Sequence, residues 1–142
     1  MADRLRIELG DWTSMRAHAE PVRFAVFVEE QQVPAEIELD EFDPLSMHAL
    51  AFDAQGRVLG TGRLLPDGHI GRMAVLPQAR GAGVGSALLQ VLMQAARARG
   101  EREVLLSAQT HAIAFYARFG FVAEGEEYDD AGIPHRMMRL VF

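Results

Sequence analysis

The residue pattern predicts an α+β fold with a mixed, mostly antiparallel central sheet flanked by helices. Three observations carry that prediction. Apolar runs at residues 48–53, 58–65 and 69–75 are separated only by short turn sequences, as in an antiparallel meander. An amphipathic segment follows, in which Ala87, Leu88, Val91, Leu92 and Ala95 recur at helical spacing and Gly100 stands where a helix stops. A short apolar run at 103–108 comes next, so the helix crosses over from the meander to a further strand.

The remaining elements follow in chain order. Leu5, Ile7 and Leu9 alternate with polar residues and read as a first strand. Residues 13–32 are helical in character but include Pro21. Proline is tolerated in a first turn and not in an interior, so Pro21 is expected to start a second helix. Phe24, Phe27 and Val28 line one face of that helix, and Pro34 ends it. Residues 35–44 are acidic and expected to be mostly irregular. Ala54-Gln55-Gly56-Arg57 and Pro66-Asp67-Gly68 make the turns of the meander. Residues 111–119 form a helix stopped by Gly120. Val122 and residues 135–141 supply the last strands, across a polar connection containing Asp129-Asp130-Ala131-Gly132.

Composition narrows the function classes. A chain of 142 residues, nearly half of them apolar, suits a single domain, residues 1–142, around one core. No apolar run approaches the roughly 20 residues of a membrane span, and Met1-Ala2-Asp3-Arg4 lacks the apolar stretch of a signal peptide. The expectation is a cytoplasmic protein with no membrane partner. A formal net charge of −6 argues against nonspecific nucleic-acid binding. Without cysteine, disulfides and thiolate metal sites are excluded, as is a covalent acyl-cysteine intermediate. The five histidines show no spacing of the His-Glu-x-x-His kind, so no metal is expected.

The most informative stretch is Val75-Leu76-Pro77-Gln78-Ala79-Arg80-Gly81-Ala82-Gly83-Val84-Gly85-Ser86. Glycines at alternate positions leave backbone N–H groups uncovered and permit positive φ. The first N–H groups of the following helix lack intrahelical partners, and the helix dipole adds partial positive charge there. Together they form an anion cradle suited to a phosphate or pyrophosphate, with Arg80 at its lip. A nucleotide P-loop would end in Gly-Lys-Ser/Thr, and the chain contains no lysine. A dinucleotide fingerprint would need a glycine where Ser86 stands.

The arrangement Arg80-Gly81-Ala82-Gly83-Val84-Gly85, after a strand and before a helix, instead resembles the acyl-CoA loop of the GNAT superfamily of N-acetyltransferases. A second stretch, Gln109-Thr110-His111-Ala112-Ile113-Ala114-Phe115-Tyr116-Ala117-Arg118-Phe119-Gly120-Phe121, resembles that superfamily's second signature. Val26-Phe27-Val28-Glu29-Glu30-Gln31-Gln32-Val33-Pro34, with Asp40-Glu41, His48 and Gly132-Ile133-Pro134-His135, is similar to its ElaA-like branch.

The resemblance implies the GNAT fold, in which two splayed central strands hold the cofactor, and acetyl-CoA as acyl donor. It places the pantetheine arm along backbone groups of Met73 and Val75, with Ala74 between them, and the pyrophosphate on the N–H groups of Gly81, Ala82, Gly83, Val84, Gly85 and Ser86. Gln109, which stands where many relatives carry asparagine, is implied to contact the cofactor together with Ala112 and Phe115. Tyr116 takes the position of the tyrosine that protonates the departing sulfur. A phenol, with a reference pKa of about 10, is able to donate at neutral pH.

No general base is readable. Glu29, Glu30, Glu36, Glu38, Asp40, Glu41 and Asp43 crowd one stretch that contains no basic residue. Its expected role is a negative potential drawing in a cationic amine, with Glu30 and Asp40 as substrate contacts and His48 as a titrating group beside them. His111 is expected near the cofactor, and His18 and His69 at the surface. The reading is an acetyl-CoA-dependent N-acetyltransferase acting on a small-molecule or peptide primary amine by direct attack in a ternary complex. The alternatives are a different acyl donor, or a CoA-binding sensor or interaction module with little turnover. The sequence is silent on oligomeric state, and the family resemblance allows a homodimer.

Overall fold

In the computed structural model, which describes residues 5–142, seven strands and four α-helices follow the expected order. The charged N-terminal residues 1–4 lie outside the described residues. Strands β1 (Arg6–Gly10), β2 (Met47–Phe52), β3 (Val58–Leu64) and β4 (Ile70–Val75) form one antiparallel sheet in that order. Strands β5 (Glu103–Gln109), β6 (Val122–Asp130) and β7 (Ile133–Val141) form a second, in the order β5-β7-β6. The two sheets meet at a single parallel bridge, His69 to Leu105, where the Leu105 N–H donates to the Gly68 carbonyl at 3.2 Å. Beyond that bridge no ladder joins β4 to β5. The expected mixed sheet is therefore two antiparallel sheets hinged at one parallel contact, and they diverge toward the C-terminal ends of β4 and β5.

Helix α3 (Val84–Ala98) anchors the core. Val84, Leu88, Leu92 and Ala96 fall four apart on one face, and with Leu89 they are fully buried. The buried stripe is centred one position later than the sequence suggests, and Ala87, Val91 and Ala95 flank it half-buried. The helix seats closely because β3 carries glycines. A Cβ on Gly60 would come within 2.8 Å of the Ala74 carbonyl and 3.0 Å of Leu88, and one on Gly62 within 2.8 Å of Leu92. Val104, Leu106 and Ala108 face the same core from β5, alternating with more exposed residues as a one-face strand requires.

Helix α1 (Trp12–Arg23) starts at Asp11, whose carboxylate accepts the Ser14 N–H at 2.8 Å. Pro21 does not begin a new helix; it lies within α1. Its missing N–H and its ring act on the Ala17 carbonyl one turn earlier, and Ala17 and Pro21 are both exposed, so that carbonyl faces water rather than the core. The next turns widen into a π-helical segment, Phe24–Glu30, which ends at Gln31 and at Gln32 with φ 61°. Such widened turns often mark functional sites. Residues 35–44 are more ordered than expected, holding the short helix α2 (Ala35–Glu38) and a 3₁₀ turn at Asp43–Leu45.

Two further departures concern the strands. Leu9 shares the face of Leu5 and Ile7 on the edge strand β1 but is exposed there. The polar connection at 129–132 is the tip of a hairpin between β6 and β7. Ala131 (φ 54°) and Gly132 (φ 82°) form its two-residue loop, the conformation that matches the twist of paired strands. The second signature folds as a 3₁₀ turn (Thr110–Ala112) leading into α4 (Ile113–Ala117), and Gly120 (φ 101°) ends the turn beyond it. No helix among the described residues is long and apolar enough to cross a membrane.

Candidate active site

A cleft of about 950 Å³ opens where β4 and β5 part. All of β4, from Ile70 to Val75, lines one wall, and Ser107 and Gln109 of β5 face it from the other. Phe27, Glu30, Gln31 and Val33 close one side, and Ala112 and Tyr116 the other. The Gln109 amide donates to the Gln31 side-chain oxygen at 2.8 Å, tying the end of β5 to the end of the π-helical segment.

Strand β4 is distorted where it forms this wall. Thr61 pairs with Ala74 and Arg63 with Gly71, so Gly62 alone opposes both Arg72 and Met73. Arg72 adopts φ 50°, and the result is a β-bulge, which leaves a main-chain position unpaired and re-aims its neighbours. On its cleft side β4 has no strand partner after the bridge at His69, so its main-chain groups, apart from the Val75 carbonyl bonded by Arg80, are available to an added extended chain.

The glycine-rich loop borders the Arg80 end of the cleft. Gly81 (φ 83°) and Gly83 (φ 82°) are both left-handed, and a Cβ at either would project into open space. Gly83 caps α3 with no side-chain hydrogen bond, so the first N–H groups of a 15-residue helix point outward without side-chain partners. These features fit a pyrophosphate. A Gly83→Val change is expected to weaken CoA binding about tenfold or more, as the side chain adds left-handed strain and covers two or three of those donors. Calorimetric titration with CoA checks this, and unchanged affinity counts against the cradle.

Met73, Ala74, Val75, Arg80, Gln109, Ala112 and Tyr116 all line the cleft. Gly81, Ala82, Gly83, Val84, Gly85 and Ser86 lie beside it rather than in its wall. Phe115 sits behind the loop, its ring 3.6 Å from where a Cβ of Gly85 would be, and packs on Tyr116 and Phe119. Phe115 therefore backs the cradle instead of facing the cleft.

Tyr116 is packed edge-on against Phe115 and Phe121, and its hydroxyl has no protein hydrogen-bond partner among the described residues. Burial pushes its pKa up to about 12. The phenol therefore keeps its proton across the neutral range.

The acidic acceptor wall expected from the sequence is only partly free. Arg23, Arg63 and Arg72, distant in the chain, pair with Glu38, Asp40 and Asp43, while Glu29, Glu36 and Glu41 are exposed with no ion-pair partner among the described residues. Arg23 bonds both Asp43 oxygens at 2.6 and 3.2 Å, Glu38 at 3.2 Å and the Glu38 carbonyl at 2.7 Å. Arg63 bonds Asp40 at 2.7 and 2.9 Å and Asp43 at 2.8 Å. Arg72 reaches Glu38 and Asp40, each at 3.2 Å. Burial raises the carboxyls of Asp40 and Asp43, but hydrogen bonds and charges from the arginines outweigh it and hold both below the usual range.

Asp40, held by two arginines, lies outside the cleft lining and is not placed as a substrate contact. His48 is likewise removed. It is 1% exposed, lies against Trp12 with ring centroids 4.7 Å apart, and bonds the Asp43 carbonyl through Nε2 at 2.8 Å. Burial lowers its pKa, so it is a neutral part of the structural network. Glu30 does line the cleft, but both its oxygens accept from Arg80, at 2.6 and 2.7 Å. The Arg80 hydrogen bonds hold the Glu30 carboxyl below its ordinary value. Arg80 also donates to the Val75 carbonyl at 3.0 Å, so this pair straddles the edge of β4. Glu30→Gln is expected to release Arg80 for phosphate and tighten CoA binding about two- to fivefold at low salt; weaker binding contradicts that role.

Of the remaining histidines, His18 is exposed, His111 lines the cleft, and His69, its side chain 39% exposed, lines it too. His135 also lines the cleft and was missed as a site residue. Its proximity depends on the pairing of His135 with Gln109 across β5 and β7, which no local pattern reveals.

The splayed strands, the bulged β4 and the uncapped glycine loop define a fold and site of the acyl-CoA N-acyltransferase class. The chain belongs to the GNAT family of acetyltransferases: residues 15–142 match the family model described as "Acetyltransferase (GNAT) domain". It is 42% identical over 121 residues to "Uncharacterized N-acetyltransferase YjcF" of Bacillus subtilis, covering 82% of this chain and 86% of the relative. Among solved structures it is similar to an acyl-CoA N-acyltransferase from Pseudomonas aeruginosa (34% identity, TM-score 0.86, covering 97% of this chain and 100% of that one). Escherichia coli ElaA is similar as well, at 28% identity and TM-score 0.83, covering 96% of this chain and 99% of that one. The protein is an acyl-CoA-dependent acetyltransferase of this family, and the ElaA-like resemblance is matched in structure.

Proposed function

We propose that this chain transfers an acetyl group from acetyl-CoA to a primary amine of a small molecule or peptide, by direct attack with both substrates bound, and that Tyr116 is the general acid. The observation that carries the reading is the partnerless Tyr116 hydroxyl in a cleft whose opposite wall is the unpaired edge of β4. Bound acetyl-CoA would supply a thioester-activated acetyl group. Main-chain groups of Met73 and Val75 would hold and orient its amide-bearing arm by strand addition, with Ala74 between them. The N–H groups from Gly81 to Ser86 would hold its pyrophosphate, each such contact contributing about 0.3–1 kcal/mol. Gln109 and Ala112 would flank the arm from the other wall.

Tyr116 holds its proton at Oη and delivers it toward the leaving sulfur position. Phe115 and Phe121 fix its ring and exclude water from that side. A chain without cysteine offers no thiol for an acyl-enzyme, which favours direct attack. On the acceptor side Glu30, Glu38, Asp40 and Asp43 are paired with arginine, which leaves Glu29, Glu36 and Glu41 to attract a cationic amine.

The test is incubation with acetyl-CoA and a panel of primary amines, comprising polyamines, amino sugars and lysyl peptides, read by mass spectrometry. The expected result is acetylated amine and free CoA in equal amounts, with the mass of the protein unchanged after acetyl-CoA alone. An acetylated protein that is chased by amine would contradict direct attack. CoA binding without any amine product would favour a sensor.

A further inference from the structure

We infer that His135 is the general base of this transfer, taking the proton from the acceptor ammonium at Nε2; the role rests on the transferase reading above. The ring lines the same cleft as Tyr116 and is 8% exposed. Its Nδ1 lies 2.7 Å from the Ile133 carbonyl oxygen, which only accepts, so Nδ1 carries the hydrogen. In the neutral imidazole Nε2 is then a bare lone pair, and it has no protein hydrogen-bond partner among the described residues. Tyr128 lies nearly parallel to the ring, centroids 6.1 Å apart, and is itself hydrogen-bonded to Ser107 and Met137. The tautomer and the orientation of the base are thus set before any acceptor arrives.

The nitrogen loses two protons in all. Before attack an N–H bond of the ammonium breaks, the proton joins Nε2, and the nitrogen keeps the electron pair with which it attacks; the second proton, shed after attack, replaces the one that Tyr116 gives to sulfur. The imidazolium retains its Nδ1–H bond to Ile133 and returns the other proton to solvent. Two cleft carboxylates are engaged by arginine, Glu30 by Arg80 and Glu38 by Arg23 and Arg72, and among the cleft histidines His135 is the one whose tautomer a main-chain carbonyl sets. The charged and titratable groups that line the cleft with His135 are Glu30, Glu38, Arg63, His69, Arg72, Arg80, His111, Tyr116 and Asp130, and Tyr128 stacks on its ring.

Two measurements test this. In ¹⁵N-histidine-labelled protein, with the His135 signals identified by their loss in His135→Gln, the neutral ring is expected to be protonated on Nδ1 and to shift on titration with CoA. A ring protonated on Nε2, or unmoved by CoA, overturns the assignment. In amine acetylation, kcat/KM of the unaltered protein is expected to fall on the acid side. His135→Gln is expected to lose that limb and about 10²–10³-fold in rate at neutral pH, with acetyl-CoA affinity retained. An acid limb that persists in His135→Gln overturns the base role alone. Absence of turnover with every amine overturns the transferase reading, and the base role with it.

Discussion

Replacing Tyr116 with phenylalanine is expected to lower kcat about 10²–10⁴-fold while leaving the acetyl-CoA dissociation constant within about twofold. The change removes one oxygen and keeps the ring that packs on Phe115 and Phe121. The hydroxyl forms no protein hydrogen bond among the described residues, so its loss leaves no protein group unsatisfied and stability changes little. A large kinetic effect without a structural one is the signature of a group used in the transition state. Because burial raises the Tyr116 pKa to about 12, the phenol does not ionise between pH 6 and 9 on the order of the assay range, and it contributes no alkaline limb there. The linked stability effect has the same sign: a raised pKa favours the folded protein below the unfolded value of about 10, and that contribution is lost as pH rises toward about 12. Steady-state kinetics of Tyr116→Phe at several pH values, beside calorimetric titration, checks each part. Turnover equal to the unaltered protein would remove Tyr116 from the mechanism.

The second large effect is on stability. Asp43→Ala is expected to destabilise the fold by about 3–5 kcal/mol, because it takes a buried partner from two guanidiniums at once, leaving Arg23 to Glu38 and Arg63 to Asp40. Asp43 is 1% exposed and also accepts the Asp40 N–H at 3.0 Å. Denaturant unfolding measures the loss, and a change below about 1 kcal/mol would show that the network contributes little. The pH dependence follows from the directions of the shifts. The depressed pKa values of Asp40 and Asp43 give stability that is present above about 3.8 and lost as pH falls through their folded values. His48, held neutral by burial, adds stability that is present above about 6.5 and lost on acidification through its lowered pKa. Both act in the direction of acid lability.

Local patterns carried much of the fold. The three-residue and four-residue turns of the meander, the helical spacing of Leu88 and Leu92, and the alternation of Val104, Leu106 and Ala108 are properties of neighbouring residues. The loop at 80–86 was legible for the same reason: Gly81 and Gly83 take positive φ where the backbone needs it. Contacts between distant residues were not legible. Residues 35–44 read as a free acidic patch because their partners Arg23, Arg63 and Arg72 lie outside that stretch. For the same reason the sequence does not show Asp40 bonded to Arg63 and Arg72, or His48 buried against Trp12. Pro21 misled because the rule against interior proline assumes a buried or fully bonded carbonyl one turn back, whereas Ala17 is exposed. The bulge at Arg72 and the pairing of His135 with Gln109 depend on strand register, which becomes visible only when the strands are paired.

The central claim is that the cleft between β4 and β5 binds acetyl-CoA through the loop at Gly81 to Ser86. Calorimetric titration of the purified protein with acetyl-CoA, with CoA and NAD as comparators, tests it most directly. Saturable binding of one acetyl-CoA per chain, shared by CoA and not by NAD, is the expected result. Binding of neither CoA species would contradict it.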